Sequence, residues 1–133
     1  MSITDWIDED LGFLNQESMT FDEYEEQAMG TAIYPGYLIY PVMELCGEAG
    51  EVAEKLKKLI RDDYLPLDGG DPLTDLDFEQ RLEIARELGD VLWALTAAAT
   101  DLGFSLNEIA DLNIEKLNSR QRRGKLQGSG DDR

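Results

Sequence analysis

Histidine is absent from all 133 residues, and cysteine occurs once, at Cys46. Without histidine there is no imidazole general base, no Ser-His-Asp or Cys-His nucleophile, and no Glu-x-x-His ligand set of the ferritin-like di-iron kind. A zinc site loses its usual donors as well. A single cysteine excludes an intramolecular disulfide, and Cys46 reads as a small buried residue. Basic side chains are also scarce, 12 against 29 acidic ones, which leaves a formal net charge of −17. That field repels polyanions and argues against partners such as nucleic acid or an anionic membrane surface. No apolar run approaches the ~18 residues of a membrane span and no signal segment opens the chain, so a soluble, cytoplasmic protein is expected. Acid, base and metal chemistry all fall to carboxylates.

What the sequence does contain is helical periodicity. Apolar residues recur at i, i+3, i+4 and i+7 over long windows, period-two stretches are missing, and the fold class reads as all-α: a bundle of four main helices in one domain. Residues 1–19 form an N-terminal arm or short amphipathic piece around Trp6, Ile7, Leu11, Phe13 and Leu14. Residues 20–124 make up the helical domain, and 125–133 form a flexible tail. The first helix starts at Thr20, where Glu23 completes a capping box, and ends near Thr31. Tyr34-Pro35-Gly36 marks a turn, and Pro41 suits the opening of a second helix that runs to Arg61. A Gly/Pro/Asp-rich loop over 62–74 is the candidate for a flexible lid. Asp75 or Asp77 caps a third helix that reaches Leu102, with Gly103 as its stop. Ser105 and Glu108 form a second capping box, for a last helix to about Arg123. The core of so short a chain is modest, and a homodimer or homotetramer is expected.

The chemistry lies on the second and third helices. Glu48-Ala-Gly-Glu51 and Glu87-Leu-Gly-Asp90 each set two carboxylates three residues apart, on one side of a helix and beside its apolar stripe. Two such helices packed face to face converge four oxygen ligands, the donor set that Mg²⁺ or Mn²⁺ prefers. Glu44 and Lys55 share the stripe with Glu48 and Glu51. Ile84, Leu88, Val91, Leu95, Ala98 and Leu102 form the apolar face beside Glu83, Glu87 and Asp90. Gly47, Gly50 and Gly89 accompany the acids, each costing about 1 kcal/mol relative to alanine, which implies close approach of a backbone or a ligand. The bland alternative is a solvated face carrying ion pairs such as Glu51 with Lys55 and Glu54 with Lys58. Trp93, one turn past Asp90, reads as a core or interface residue before a base-stacking one.

In order along the chain stand Tyr40-Pro41, Gly47-Glu48-Ala49-Gly50-Glu51-Val52-Ala53-Glu54-Lys55, Arg86-Glu87-Leu88-Gly89-Asp90-Val91-Leu92-Trp93, and Asn113-Ile114-Glu115-Lys116-Leu117 with Arg120 and Arg123-Gly124. This ordered set resembles the MazG-like nucleotide pyrophosphohydrolases of the all-α NTP pyrophosphatase superfamily, over most of the chain from Thr20 onward. The resemblance implies that Glu48, Glu51, Glu87 and Asp90 bind Mg²⁺ and that a nucleoside triphosphate is cut to the monophosphate and pyrophosphate. It also implies that Asn113, Lys116 and Arg120 contact the substrate, with Lys55 or Lys58 adding charge at the distal phosphates. Many relatives have two adjacent glutamates where Gly47-Glu48 stands here. The extra acid is Glu44, one turn earlier, so the water-activating carboxylate is either Glu44 or Glu48. Two other classes of function remain open at the level of sequence: a noncatalytic helical interaction or regulatory module, and a passive divalent-cation binder.

Overall fold

The computed structural model of the chain describes residues 18–129. Most of the expected N-terminal arm and the end of the expected tail lie outside the described residues. Among the described residues the chain folds into five helices and no strand: α1 (Phe21–Met29), α2 (Ile39–Arg61), α3 (Pro72–Asp75), α4 (Phe78–Asp101) and α5 (Leu106–Arg122). The four long ones correspond to the four expected from periodicity. No helix among the described residues is long and apolar enough to cross a membrane.

Local chemistry explains where the helices begin and end. The Thr20 hydroxyl accepts from the Glu23 N–H while the Glu23 carboxylate accepts from the Thr20 N–H at 2.7 Å, the reciprocal capping box that opens α1. Ser105 and Glu108 repeat it for α5, and Asp77, not Asp75, does so with Gln80 for α4. Gly103 (φ 80°) ends α4 because only a left-handed residue lets its own N–H reach Thr100 and the Phe104 N–H reach Ala99, at 2.9 Å each. The second helix begins two residues earlier than expected, which leaves Pro41 in its first turn, where a missing N–H costs little. Leu65 within the 62–74 segment and Leu76 just beyond it are buried, the rest of the segment is largely exposed, and α3 is capped by Asp71.

The two long helices α2 and α4 form the main packed pair, with α1 laid against α4 and α5, and α5 also touching α4. Contacts run in opposite order along α2 and α4, from Leu38 with Asp101 to Lys55 with Glu83, so the pair is antiparallel. The core is largely alanine (Ala28, Ala94, Ala97, Ala98 and Ala99) with Leu65, Leu76 and Leu106. Of the face expected to be buried on α4, Ala98 is buried but Leu88 and Leu102 are about half exposed, since burial concentrates in the Ala94–Ala99 stretch between them. Cys46 is likewise exposed, on an outer side of α2 with Met43 and Gly50.

One carboxylate ties the α2/α4 pair together at its open end. Asp101, the last residue of α4, accepts from the Leu38 N–H at 2.7 Å and from the Tyr34 hydroxyl at 3.0 Å. Leu38 holds φ at 31°, a conformation that L-residues rarely adopt, and its bond to Asp101 offsets that strain. Burial, then the hydrogen bond to Asp101 and its charge, push the Tyr34 phenol up and keep it a donor. Asp101→Ala should therefore cost about 1–3 kcal/mol of stability, the range for stranding a part-buried donor. Chemical denaturation measures it, and an unchanged midpoint would remove Asp101 from this role.

Candidate metal centre

The seam between α2 and α4 brings three of the four expected ligands together. Glu48 on α2 and Glu87 and Asp90 on α4 each offer a carboxylate oxygen within 4.8 Å of the others. Glu87 and Asp90 are three apart on α4, so they share a side of that helix, and the packing of α2 against α4 brings Glu48 to them. Glu51 stands outside that set, exposed on α2.

Three carboxylates so close repel one another. Glu48 records the strain: partial burial, then the charges of Asp90 and Glu44, a hydrogen bond with Glu44 and the charge of Glu87 push its carboxyl above the ordinary range. Burial and the Asp90 charge also push up the phenol of Tyr24, a half-buried residue of α1 that thereby belongs to the surroundings of the site. No motif in the sequence singled out Tyr24. Its place in the apolar pattern of α1 marked it only as a packing residue.

Lys55 crosses the seam. Its ammonium lies 3.5 Å from Glu87 and 3.6 Å from Glu83, so it pairs with the opposite helix and not with Glu51 as the solvated-face reading has it. The Glu54–Lys58 pair of that reading does form, at 3.6 Å. Asn113 and Lys116 lie on α5 in a stretch, 111–118, that is exposed along its whole length. Arg120 differs from them in being only 6 % exposed. Among the described residues, nothing beyond the local helix backbone and the adjacent residues lies within 4 Å of the position a Cβ would take at Gly47, Gly50 or Gly89. Trp93 is engaged in the frame: its indole N–H donates to the Thr31 hydroxyl at 2.9 Å and to the Ala28 carbonyl at 3.2 Å, fastening α4 to the end of α1.

The arrangement suits a hard divalent cation. Its donors are all carboxylate oxygens, they converge from two rigid helices, and their mutual repulsion is what a bound cation relieves. Comparison with known proteins points the same way. The MazG nucleotide pyrophosphohydrolase domain matches residues 41–124, a span that holds all three converging acids. The Gene 37 protein of Mycobacterium phage L5 is 42% identical over 123 residues, which cover 86% of this chain and the whole of that relative. No solved structure matches the chain.

The raised carboxyl of Glu48 has a consequence for stability. A carboxyl held above its unfolded value stabilises the fold below that value, and this contribution is lost as pH rises through the folded pKa. At neutral pH and without metal, Glu48 is therefore a source of repulsion. Glu48→Gln should raise the melting temperature of the metal-free protein at pH 7, and the gain should shrink as pH falls toward 4.5, the ordinary glutamate value, and be absent below it. Thermal melts across pH in the presence of a chelator measure this. A variant no more stable than the parent at pH 7 would show that the three acids are not in conflict.

Proposed function

This chain belongs to the MazG nucleotide pyrophosphohydrolase family, and we propose that it is a pyrophosphohydrolase of nucleoside triphosphates that releases the monophosphate and pyrophosphate. The convergence of Glu48, Glu87 and Asp90 carries the reading. Glu51, one turn along α2, is the proposed fourth ligand. Held by these carboxylates, Mg²⁺ or Mn²⁺ supplies a Lewis acid that neutralises phosphate charge and lowers the pKa of water.

The protein's own groups divide the remaining work. Water adds to phosphorus as the anhydride bond to the departing pyrophosphate breaks, and its proton passes to the Glu44–Glu48 pair. Their side-chain hydrogen bond supports this assignment, since two carboxyls can share one proton. Lys55 stands at the edge of the carboxylates, where an ammonium can draw a phosphate oxygen. Asn113, Lys116 and Arg120 are the proposed substrate contacts on α5. Because Arg120 is buried, its removal would disturb packing as well as binding, and Lys116 is the cleaner probe of this helix.

The proposal includes assembly as a homodimer or homotetramer. Met43 (70 % exposed), Leu112, Ile114 and Leu117 stand on helix faces that the described residues leave uncovered, and interior glycines with open space beside them among those residues allow a second helix to come close. Light scattering at micromolar concentration should return at least twice the 15.0 kDa of one chain. A monomeric mass would count decisively against assembly.

Kinetics tests the chemistry. Asp90→Ala or Glu51→Ala should abolish Mg²⁺-dependent hydrolysis while the helical circular dichroism persists, since neither side chain fills the core. Lys116→Ala should weaken catalysis by about 1.5–3 kcal/mol, the value of a charge-assisted hydrogen bond, with calorimetric Mg²⁺ binding unchanged. Turnover retained in both acidic variants would sink the carboxylate assignment. Parent kinetics in the lysine variant would remove Lys116 from the substrate site.

A further inference from the structure

The seam of α2 and α4 has two unlike ends. Tyr40, Glu44 and Glu48 follow one another at i, i+4 and i+8 along α2, so they share a side of the helix. At 1.5 Å per residue Tyr40 lies about 12 Å along the axis from Glu48, and Lys55 about 10 Å from it in the other direction. One end of the seam is therefore ammonium and the other is aromatic, with the carboxylates between them.

The aromatic end is already built. Tyr34 and Tyr40 stack with ring centres 5.3 Å apart and planes within 5°. Tyr34 meets the edge of Trp93 at 6.1 Å and 86°, and its hydroxyl is fixed to Asp101. Trp93 in turn is held by its bonds to Thr31 and Ala28. One member of the stack is thus locked from three directions. The other, Tyr40, remains 41 % exposed and sits on the carboxylate side of α2. A preorganised, partly exposed ring is a surface on which any base can stack, because every base has a π-face.

We propose that Tyr40 is the stacking platform for the substrate's base, so that a nucleotide lies along the α2/α4 seam with its base toward the Tyr34–Tyr40 pair and its terminal phosphate toward Lys55. This rests on the pyrophosphohydrolase reading above and adds an orientation and a specificity-determining residue to it. Since stacking reads no base edge, Tyr40 provides affinity for nucleotides in general, and it distinguishes a nucleotide from a bare polyphosphate.

Binding measured with two probes tests the proposal: an α,β-imido nucleoside triphosphate, which resists cleavage, and inorganic tripolyphosphate, which has no base, each with Mg²⁺. Tyr40→Leu should weaken the nucleotide analogue by about fivefold or more, the effect of losing a base–aromatic stack, and leave tripolyphosphate binding at the parent value. Tyr40→Phe should keep both. Equal analogue affinity in the parent and in Tyr40→Leu would overturn the stacking role while leaving the hydrolytic reading intact. A parallel loss of tripolyphosphate binding, or a change of oligomeric mass in Tyr40→Leu, would also overturn it and make Tyr40 a structural or interface residue. A parent protein that binds neither probe would overturn the hydrolytic reading itself.

Discussion

The close antiparallel contact of α2 with α4 is the constraint on which the rest of the molecule depends. Helices joined through leucine sit farther apart than helices joined through alanine, and here the inner face of α4 is Ala94, Ala97 and Ala98. Across this contact, carboxylates of opposite helices come within 4.8 Å of one another. Their approach makes the contact costly, because like charges are pressed together where water is partly excluded. Lys55 bridging to Glu87 and Glu83, and Asp101 holding the Leu38 N–H at the other end, clamp the pair on both sides of the repulsion. An apolar seam would be more stable but could hold no cation.

An alanine core has a second consequence. Alanine buries little area, and burial is worth about 25 cal/mol per Å² of apolar surface removed from water, so the inner face of α4 contributes less than leucines would. The larger apolar side chains of α5, Leu112, Ile114 and Leu117, stand outside the core instead. The resulting chain is rigid where its ligands sit and unsatisfied on its outer surfaces. The exposed apolar side chains of α5 are what the proposed assembly would cover.

Much of this was legible in the sequence, for reasons that are local. Capping boxes at Thr20 and Ser105 and the stop at Gly103 depend on residues three or four apart, and the structure reproduces them. The meeting of Glu48 with Glu87 and Asp90 followed from spacing plus the assumption that two amphipathic helices pack face to face. Features that need the relative rotation of two helices were not legible. Lys55 read as an i,i+4 partner of Glu51 and turned out to cross the seam. Cys46 and Leu88 read as buried and are exposed, because periodicity marks an apolar face without saying how much of it a small neighbour covers. Asp101 and Tyr24 carried no motif at all, since their partners are 63 or more residues away in the chain.

Charge distribution sets the last condition on function. A chain with 29 acidic and 12 basic side chains repels a polyphosphate over most of its surface. Attraction has to be local, and the basic residue placed beside the carboxylates is one already paired with them. Without a cation, Lys55 partly neutralises Glu87 and Glu83. If the site holds a cation as proposed, the cation would take over that neutralisation and leave the ammonium able to turn toward phosphate. On the proposed reading metal and substrate would favour each other through one side chain: the cation would reduce the negative charge of the seam, and Lys55 would exchange a carboxylate partner for a phosphate.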